Sequence, residues 1–469
     1  MRDRQRIHFI GVCGTAMATV AALLKRRGHD VRGSDQHVYP PMSDFLVGEG
    51  IQAMAGFSAA HVGPDVDLVV VGNAISRGNV ELESVLERKI RYCSLPEVIR
   101  DHFLWDSRSI VLAGTHGKTT TTSLTGWLLT QAERDPTVLV GGIALNFGDG
   151  GSSYRLGTGG DFVIEGDEYD SAYFDKTAKF LKYLPEIAVI GNIEFDHADI
   201  YADIDAVRLA FRRLVNLVPR NGLLLLGADS PHAAALSADA VSPVDTFGTS
   251  VGATWRAQGI EHGGGVTRFA VHRRGEPFGQ FESPMLGLHN VRNALAAIAV
   301  GGYLGVDPVQ LADGLRTFKG IRRRLEIVGV VRGVTVIDDF AHHPTAVRET
   351  LAALRTGYPS RRLWAVFEPR SASSCRRVFQ HEFAAAFGAA DEVVIAGIFR
   401  SSLPESERLS VETLVDDLRT QDQRARHIPG VQDIVQTIVD EHRDGDVVVL
   451  MSNGGFDGIH QKVLQALDG

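Results

Sequence analysis

The alternation of apolar runs with polar turns predicts an α/β fold built on parallel sheets. Short stretches of valine, isoleucine and leucine recur along the chain, and most are followed by a glycine-rich or polar turn and then by a helical pattern. Continuous apolar runs of this kind are typical of strands that are buried on both faces of a parallel sheet. The clearest runs are 7–10, 68–72, 110–113, 187–193, 363–367 and 447–451.

Two further patterns complete the predicted elements. Helices are predicted over 15–28, 123–132, 203–218 and 286–301. Residues 254–284 alternate between apolar and polar positions and are interrupted by glycines, which predicts antiparallel hairpins.

The segment 114–122, GTHGKTTTT, has the composition of a phosphate-binding loop. It lies between the apolar run 110–113 and a helix, and its glycines let successive backbone N–H groups point at one spot, which attracts phosphate. Lys118 can then reach the terminal phosphates of ATP or GTP, and the Thr119 hydroxyl can bind the bridging magnesium ion. A complete Walker pattern would have a glycine in place of Leu112, so an ordinary turn with a helix N-cap is the alternative.

Two further strands, one within 161–170 and one at 187–193, are predicted to deliver acidic side chains at their ends. These acids are Glu165, Asp167, Glu168, Asp170, Glu194, Asp196 and Asp199, and His197 accompanies them. Crowded carboxylates repel one another unless a cation is present, and magnesium is the natural cation beside a phosphate loop. A solvated acidic turn is the alternative, and His197 either binds a second metal ion or caps a turn.

The first strand, turn and helix form a nucleotide-binding βαβ opening, with Asp35 near the position of a ribose-binding acid. The dinucleotide pattern GxGxxG would need glycines where Cys13 and Ala16 stand, so a phosphate-bearing ligand without nicotinamide is favoured over NAD. The loop after the run 68–72 carries Asn73, which either binds a ligand at the carboxyl end of the sheet or completes a turn.

Polar residues farther along the chain are additional candidates. Asn290 and Asn293 lie one turn apart on a predicted helix, where they can read a nucleotide edge, although capping also explains Asn290. The three arginines at 322–324 stand at a composition shift and suit a phosphate contact, or form a solvated basic patch. Strand ends deliver polar loops at 338–344, 368–371 and 452–455, which predicts a substrate site in the last third of the chain.

Composition limits the partners and the compartment. The chain has 469 residues, enough for about three domains, and its net charge of −9 argues against nucleic acid or an anionic membrane surface as the main partner. Three scattered cysteines argue against a disulfide framework, and the N-terminus lacks a signal-peptide pattern. No apolar run reaches the roughly 18 residues of a membrane span. A soluble, cytoplasmic protein is expected.

Taken together, these residues resemble the Mur ligase superfamily of ATP-dependent enzymes, which join a carboxylate to an amino acid or peptide in cell-wall synthesis. The strings GTHGKTTTT, HNVRN, RRR and DDFAHHP match in order over the entire chain, as do the acid-rich strand ends at Glu165 and His197. Within the superfamily, GNAISRGN, EGDEYDSAYFDK, EPRS and MSNGGFDGIHQK are most similar to one branch. That branch adds the recycled murein tripeptide L-alanyl-γ-D-glutamyl-meso-diaminopimelate to UDP-N-acetylmuramate.

The resemblance implies three α/β domains. Residues 1–106 would form a Rossmann-like domain that binds the UDP-sugar, and residues 107–321 a central P-loop domain that binds ATP. Residues 322–469 would form a C-terminal Rossmann-like domain that binds the incoming peptide and closes over ATP. ATP and Mg²⁺ are the expected cofactors, and a monomer or weak homo-oligomer without a nucleic-acid or membrane partner is expected.

The resemblance also implies roles for individual residues. The catalytic residues would be Lys118, Glu165, His197 and Arg324, and the magnesium ligands Thr119, Glu165 and His197. The nucleotide would contact Gly114, Thr115, His116, Gly117, Lys118, Thr119, Thr120, Asn290, Asn293, Arg323, Asp338 and Asp339. The sugar nucleotide would contact Gly11, Gly14, Thr15, Met17, Asp35 and Asn73, and the peptide would contact His342 and Arg370.

The implied reaction forms an amide through an activated carboxylate. A carboxylate does not acylate an amine unaided at neutral pH, so transfer of the γ-phosphoryl group of ATP would first make an acyl phosphate, which the amine then attacks. Several Mur ligases carry a carbamylated lysine after the metal histidine, but Arg212 stands at that place and no carbamate is expected. The alternatives are the alanine-adding ligase of the same superfamily, a nicotinamide oxidoreductase and a non-enzymatic nucleotide switch.

Overall fold

The computed structural model of the chain describes residues 4–40, 42–399 and 403–469. The chain divides into two compact units, each assembled from segments that are separated in sequence. The first unit consists of Met1–Ile193, Asp205–Thr254 and Ala296–Leu311, and the second of Glu194–Ile204, Trp255–Leu295 and Ala312–Gly469.

The N-terminal sheet of the first unit contains five parallel strands in the order β3-β2-β1-β4-β5. The strands are β1 (Arg6–Ile10), β2 (Asp30–Asp35), β3 (Gln52–Ala55), β4 (Leu68–Val71) and β5 (Tyr92–Ser94). The helices are α1 (Thr15–Arg26), α2 (Met42–Gly48), α3 (Val80–Glu87) and α4 (Leu95–Ile99). The strand order reverses between β1 and β4, and open α/β sheets bind ligands beyond the carboxyl ends of their strands at such a point.

A second sheet of the first unit has β6 near its centre, and its strands follow the order β14-β13-β12-β6-β9-β7-β8. The strands are β6 (Arg108–Ala113), β7 (Thr137–Ala144), β8 (Ser152–Arg155), β9 (Asp161–Gly166), β12 (Ile187–Ile190), β13 (Leu223–Gly227) and β14 (Val244–Gly248), and β10 (Asp170–Ala172) with β11 (Asp175–Ala178) forms a separate hairpin. The helices over this stretch are α5 (Lys118–Gln131), α6 (Ile204–Val215) and α7 (Pro231–Ala234). Since β6 lies between the parallel strands β9 and β12, the residues that follow these three strands emerge at one edge of the sheet.

The second unit contains a three-stranded antiparallel ribbon and a six-stranded sheet. The ribbon is β15 (Trp255–Gly263), β16 (Val266–Arg273) and β17 (Glu276–Ser283), and it is followed by α8 (Leu288–Tyr303) and α9 (Pro308–Arg316). The six-stranded sheet has the order β18-β19-β23-β20-β21-β22, in which only β18 is antiparallel. Its strands are β18 (Glu326–Val331), β19 (Val334–Asp339), β20 (Leu363–Phe367), β21 (Glu392–Ile395), β22 (Arg424–His427) and β23 (Val447–Met451), and its helices are α10 (Pro344–Gly357), α11 (Gln380–Ala384), α12 (Val411–Thr420), α13 (Val431–Glu441) and α14 (Ile459–Asp468).

Helices cover both faces of the six-stranded sheet, which explains the continuous apolar runs in its strands. In β20 the side chains of Leu363 and Phe367 enter one core, and the side chain of Trp364 enters the other. Successive side chains of a strand point to opposite faces, so a strand that is covered twice has no polar face.

Most of the predicted elements are confirmed, including the antiparallel hairpins within 254–284 and the helices that begin near residues 15, 203 and 286. The predicted start of the helix at Ser123 is wrong, since α5 begins at Lys118. Threonine and serine hydroxyls donate to carbonyl oxygens four residues earlier, as Thr122 does to Lys118 at 2.8 Å, so this polar run is compatible with a buried helix. No helix among the described residues is long and apolar enough to cross a membrane.

Candidate active site

The loop after β6 is tied to the residue that follows β12. The backbone N–H of Thr115 donates to the carbonyl oxygen of Asn192 at 3.0 Å, and the N–H of His116 donates to Asn192 Oδ1 at 2.8 Å. Asn192 Nδ2 donates in return to the His116 carbonyl at 3.1 Å. At Gly114, where φ is +135°, a Cβ atom would lie 3.0 Å from the Asn192 carbonyl oxygen, so the approach requires glycine. These contacts fix the loop against the residue that follows β12.

The N-terminus of α5 has the features of an anion site. Gly117 is the N-cap residue in the left-handed conformation with φ +80°, and as a glycine it has no side chain that could cap the helix. The first N–H groups of a helix have no intrahelical acceptor, and the helix dipole places partial positive charge there. The backbone present at Gly117–Thr120 therefore fits a phosphate group.

Lys118 lies at this helix start and is held by oxygen atoms. Its ammonium donates to Glu168 Oε2 at 2.8 Å and Oε1 at 3.0 Å, and to the Gly114 carbonyl at 2.9 Å. Burial alone would lower the pKa of Lys118, but the charges of Glu168, Asp167 and Glu165 hold it above its ordinary value. The residue is a fixed cation beside the candidate phosphate site.

Glu165 and Thr119 meet beside the same loop. Glu165 is the last residue but one of β9, where it pairs in register with Leu112 of β6. Its Oε1 atom accepts a hydrogen bond from Thr119 Oγ1 at 3.0 Å. Its Oε2 atom accepts from the Gly141 N–H at 2.7 Å. Burial raises the pKa of Glu165 above its ordinary value although the Lys118 charge opposes this. A divalent cation at these two oxygen ligands would favour the ionised carboxylate, so the pair fits magnesium.

The remaining acids of this strand end have lysine partners, which the sequence pattern does not predict. Asp167 lies 2.8 Å from Lys179, and Asp170 lies 2.6 Å from Lys176. With Glu168 bound to Lys118, the crowded carboxylates are neutralised largely within the chain. Of these four acids, Glu165 is left as the candidate metal ligand.

The glycine turn after β1 is braced by an acid. The N–H groups of Gly11 and Val12 donate to the Ser34 carbonyl, and Asp35 Oδ2 accepts from the Cys13 N–H at 2.9 Å. Gly14 is the N-cap of α1 and has no side chain that could cap this helix. Asp35 therefore has a structural contact in addition to its expected contact with ribose.

The other expected sugar-nucleotide residues lie around the same turn. Thr15 is the first residue of α1, and the Met17 side chain is buried with its Cε near Gly72. Asn73 follows β4, and its Nδ2 donates to Asp170 Oδ1 at 3.2 Å. This contact joins the first sheet to the acidic segment that also carries Glu168.

In the second unit, Asp339 and Arg323 both form hydrogen bonds with other residues of the chain. Asp339 accepts hydrogen bonds from the N–H groups of Leu325 and Ala341, both at 2.8 Å, and from Thr350 Oγ1 at 3.1 Å. Burial raises its pKa, although the Arg324 charge opposes this. The Arg323 guanidinium donates to the Ser452 and Gly454 carbonyls at 2.7 and 2.6 Å.

The other residues expected to contact the nucleotide have charged, aromatic or amide neighbours. Asp338 lies 3.2 Å from Arg323 Nε, and the Arg324 guanidinium lies 4.9 Å from the Phe340 ring centroid. Asn290 Nδ2 donates to the Leu286 carbonyl at 2.9 Å, and its Oδ1 accepts from Asn293 Nδ2 at 3.1 Å. The two amides therefore share a face, as their spacing predicted.

Histidines and an aspartate gather in another part of the second unit. Burial would raise the pKa of Asp196, but the nearby His197, His342 and His343 hold it well below its usual range. His197 has φ +56°, a strained conformation for a residue with a side chain. His342 Nδ1 lies 2.9 Å from the Phe340 carbonyl oxygen.

His343 has a defined tautomer. Its Nε2 atom lies 3.1 Å from the Phe195 carbonyl, which can only accept, and its Nδ1 atom accepts from the Thr345 N–H as the cap of α10. The proton is therefore on Nε2.

The loops after β20 and β23 contact one another. Ser452 Oγ donates to Glu368 Oε2 at 2.5 Å, and Arg370 Nη1 lies 3.5 Å from Glu368 Oε1. A Cβ atom at Gly454 would overlap the Arg370 guanidinium, so the glycine makes room for the arginine. The side-chain amide oxygen of Asn453 is buried, and no hydrogen-bond partner for it is found among the described residues.

Three family models match the chain in series. They are the Mur ligase family catalytic domain over residues 6–104, the Mur ligase middle domain over 112–301 and the Mur ligase glutamate ligase domain over 323–454. The series confirms the predicted three-domain α/β architecture.

Curated relatives match almost end to end. The UDP-N-acetylmuramate–L-alanyl-γ-D-glutamyl-meso-2,6-diaminoheptandioate ligase of Escherichia coli K12 is 39% identical over 464 residues, 98% of each chain. The UDP-N-acetylmuramate–L-alanine ligase of Salinibacter ruber is 38% identical over 96% of this chain and 92% of its own. The crystal structure of a murein peptide ligase from Psychrobacter arcticus has 36% identity, a TM-score of 0.71 and 99% coverage of both chains.

Proposed function

The chain belongs to the Mur ligase family, and from this premise we propose that it is an ADP-forming ligase that makes a peptide bond. It joins the free amine of the tripeptide L-alanyl-γ-D-glutamyl-meso-diaminopimelate to the lactyl carboxylate of UDP-N-acetylmuramate, a step of peptidoglycan recycling. The names and nearly complete coverage of the Escherichia coli and Psychrobacter relatives support this choice of substrates.

The observation that carries the proposal is the arrangement around the loop after β6. A fixed ammonium on Lys118, an open helix N-terminus and the oxygen pair of Thr119 and Glu165 lie at one edge of one sheet. Phosphoryl transfer requires positioning and charge stabilisation more than covalent chemistry, and these groups supply both. A nicotinamide oxidoreductase would have no use for them.

We assign the domains as residues 1–106 for the UDP-sugar, 107–321 for ATP and 322–469 for the peptide. The diphosphate binds at the glycine turn after β1, beside Gly11, Gly14 and Thr15 at the start of α1. Asp35 and Asn73 bind the sugar nucleotide farther along the same sheet edge.

Lys118 binds the transferred phosphate, and the loop Gly114–Gly117 holds the nucleotide in place. Magnesium bound by Thr119 and Glu165 supplies positive charge beside the phosphates. His197 is assigned to a second magnesium ion and Arg324 to the nucleotide. His342 and Arg370 are assigned to the peptide, with the Arg370 guanidinium pairing with a carboxylate of the diaminopimelate residue.

The test is to identify the product by mass. The purified chain is incubated with UDP-N-acetylmuramate, MgATP and the tripeptide, and parallel samples contain L-alanine or lack Mg²⁺. We expect the mass of the two substrates joined with loss of one water, one ADP for each product, and no product without Mg²⁺. ATP binding without any joined product would instead favour a nucleotide switch.

The Salinibacter relative makes the alanine-adding reaction the second candidate, because it has almost the same identity to this chain. Product formation with L-alanine and none with the tripeptide would select it. The EPRS and MSNGG loops at 368–371 and 451–455 support the tripeptide, since the sequence resemblance associates them with that branch.

A further inference from the structure

We propose that Phe399 is a positioning residue, which holds the Arg370 guanidinium flat so that its edge can bind a carboxylate of the incoming peptide. The inference rests on the proposed function, because it takes the peptide carboxylate from that proposal. It adds a residue that neither the sequence motifs nor the family resemblance assigned.

The Arg370 guanidinium lies over the ring of Phe399. The Arg370 Cζ atom lies 3.6 Å from the centroid of the Phe399 ring, which is shorter than the 4.2 Å between Arg27 and Phe103, the next shortest such contact in the described part of the chain. A guanidinium over a ring face is attracted by the negative charge of that face. The contact also restricts rotation of the long arginine side chain.

Phe399 is positioned for this contact although it is not part of a core. Its side chain is 57% exposed, which is unusual for phenylalanine. The backbone following β21 is bound to the loop following β20, because the N–H of Ala396 donates to the Phe367 carbonyl and that of Phe399 to the Pro369 carbonyl, at 2.9 and 3.0 Å. These bonds place the ring beside the residue after Pro369, which is Arg370.

The edge of the guanidinium is the part left for a ligand. No hydrogen bond from the Arg370 guanidinium is found within residues 4–40, 42–399 and 403–469, and its ion pair with Glu368 is long at 3.5 Å. Its side chain is 27% exposed. Arginine binds a carboxylate through two parallel N–H groups at its edge, so a ring on its face leaves that geometry intact.

Glu368 does not compete strongly for this edge. Its other oxygen, Oε2, accepts the hydrogen bond from Ser452 at 2.5 Å, which fixes the carboxylate against the loop after β23. Fixed in this way, Glu368 stays at a distance where its attraction to Arg370 is weaker than that of a bidentate pair.

The test is a set of Phe399 variants in the full-length chain. Phe399→Leu keeps an apolar side chain but removes the ring, and Phe399→Trp restores a ring. Tyr303→Leu is the matched control, since Tyr303 is also an exposed aromatic side chain, 38% exposed at the end of α8. The measurements are kcat and the KM values for the tripeptide, UDP-N-acetylmuramate and ATP, with thermal unfolding as a check on folding.

We expect Phe399→Leu to raise the KM for the tripeptide about fivefold, the equivalent of one cation–π contact, and to leave the other two KM values unchanged. Phe399→Trp and Tyr303→Leu should retain the wild-type value. With a tripeptide whose diaminopimelate carboxylates are amidated, wild type and Phe399→Leu should have the same KM, because the guanidinium then has no anion to bind.

Two results would overturn the inference. One is an unchanged tripeptide KM in a folded Phe399→Leu protein whose wild type is active. The other is a rise in KM of equal size for the amidated tripeptide, which would indicate a structural role for the ring. A wild-type chain that forms no product with the tripeptide contradicts the proposed function itself, and the inference falls with it.

Discussion

At the scale of single residues, the candidate site depends on how its buried charges are neutralised by other side chains of the protein. A buried lysine is stable as a cation only beside an anion, and Glu168 is that anion for Lys118. Two further ion pairs lie nearby, in which Lys179 neutralises Asp167 and Lys176 neutralises Asp170. The sequence alone predicts that these acids need magnesium, because the lysines that neutralise three of them cannot be assigned without the fold.

Lys118→Ala should lower kcat/KM for ATP-dependent product formation by about a hundredfold or more, since it removes positive charge that preorganises the phosphate site. The measurement is ADP release in the presence of all substrates. Lys462→Ala is the matched control, because Lys462 is also paired with a carboxylate, Asp457, at 2.6 Å. Near-normal ADP release by the Lys118 variant would contradict the assignment.

His289 gives a prediction about pH and stability. Burial, with the positive charges of Arg292 and Arg324, lowers the pKa of His289 from 6.5 to about 4. In the unfolded chain His289 is therefore protonated below about pH 6.5, whereas in the folded chain it stays neutral until about pH 4. The stability that neutral His289 maintains above pH 6.5 is lost as the pH falls through this window.

Denaturant unfolding of wild type and His289→Gln between pH 8 and pH 4 measures this effect. We expect the free energy of unfolding to fall less steeply below about pH 6.5 in the variant than in the wild type. His381→Gln, at an exposed position, controls for the loss of a histidine as such. Parallel curves for wild type and His289→Gln would contradict the prediction.

At the scale of elements, the packing of α5 on β7 depends on a glycine. A Cβ atom at Gly126 would lie 2.7 and 2.8 Å from the two methyl groups of Val138, so the helix approaches the strand closely at this point. A glycine inside a helix costs about 1 kcal/mol relative to alanine, which the close approach offsets. The same helix begins with the loop that is held by Asn192, so its depth against the sheet affects the position of Lys118.

Gly126→Ala should destabilise the protein by about 1–3 kcal/mol, because the added methyl group overpacks the interface with Val138. Thermal or denaturant unfolding measures the change. Gly48→Ala is the control, since Gly48 in α2 has open space around it and the substitution should be neutral or slightly stabilising. A stabilised Gly126→Ala variant would contradict the packing argument.

Most elements and the loop at 114–122 could be predicted from the sequence, because the pattern of strand, loop and helix is formed by neighbouring residues. It was insufficient for Asn192, whose side chain binds His116 across 76 residues of sequence, and for the pairing of Lys118 with Glu168 across 50. An asparagine after a strand has many uses, and only the parallel pairing of β6 with β12 brings this one to the loop. The position of Phe399 over Arg370 likewise depends on two neighbouring strands of the sheet.

At the scale of the whole molecule, the family resemblance predicted the domain architecture, which local sequence patterns alone could not. Three matched models in series confirm the architecture, whereas the two interleaved units were not foreseen from any composition shift. The unit boundaries cut through helices α8 and α9, which carry regular periodicity and no linker composition. Contacts between segments distant in sequence, and not the chain order, define these units.

A non-hydrolysable ATP analogue with Mg²⁺ should raise the unfolding temperature of the full chain by about 5 °C at saturating concentration, since ligand binding to the native state alone stabilises it. Scanning fluorimetry measures the shift. The shift should be much smaller for Lys118→Ala or without Mg²⁺, and NAD(H) should produce none. A shift with NAD(H) in its place would favour the oxidoreductase alternative.

The interleaving of the two units has a consequence for biosynthesis. When Leu311 has left the exit tunnel of the ribosome, every segment of the first unit has been synthesised. At that point the second unit is incomplete, because Glu194–Ile204 and Trp255–Leu295 are present but the C-terminal sheet is not. Nascent chains fold the parts that are complete first. Folding of the second unit is therefore expected to finish after that of the first, once the last strands of the C-terminal sheet have been synthesised.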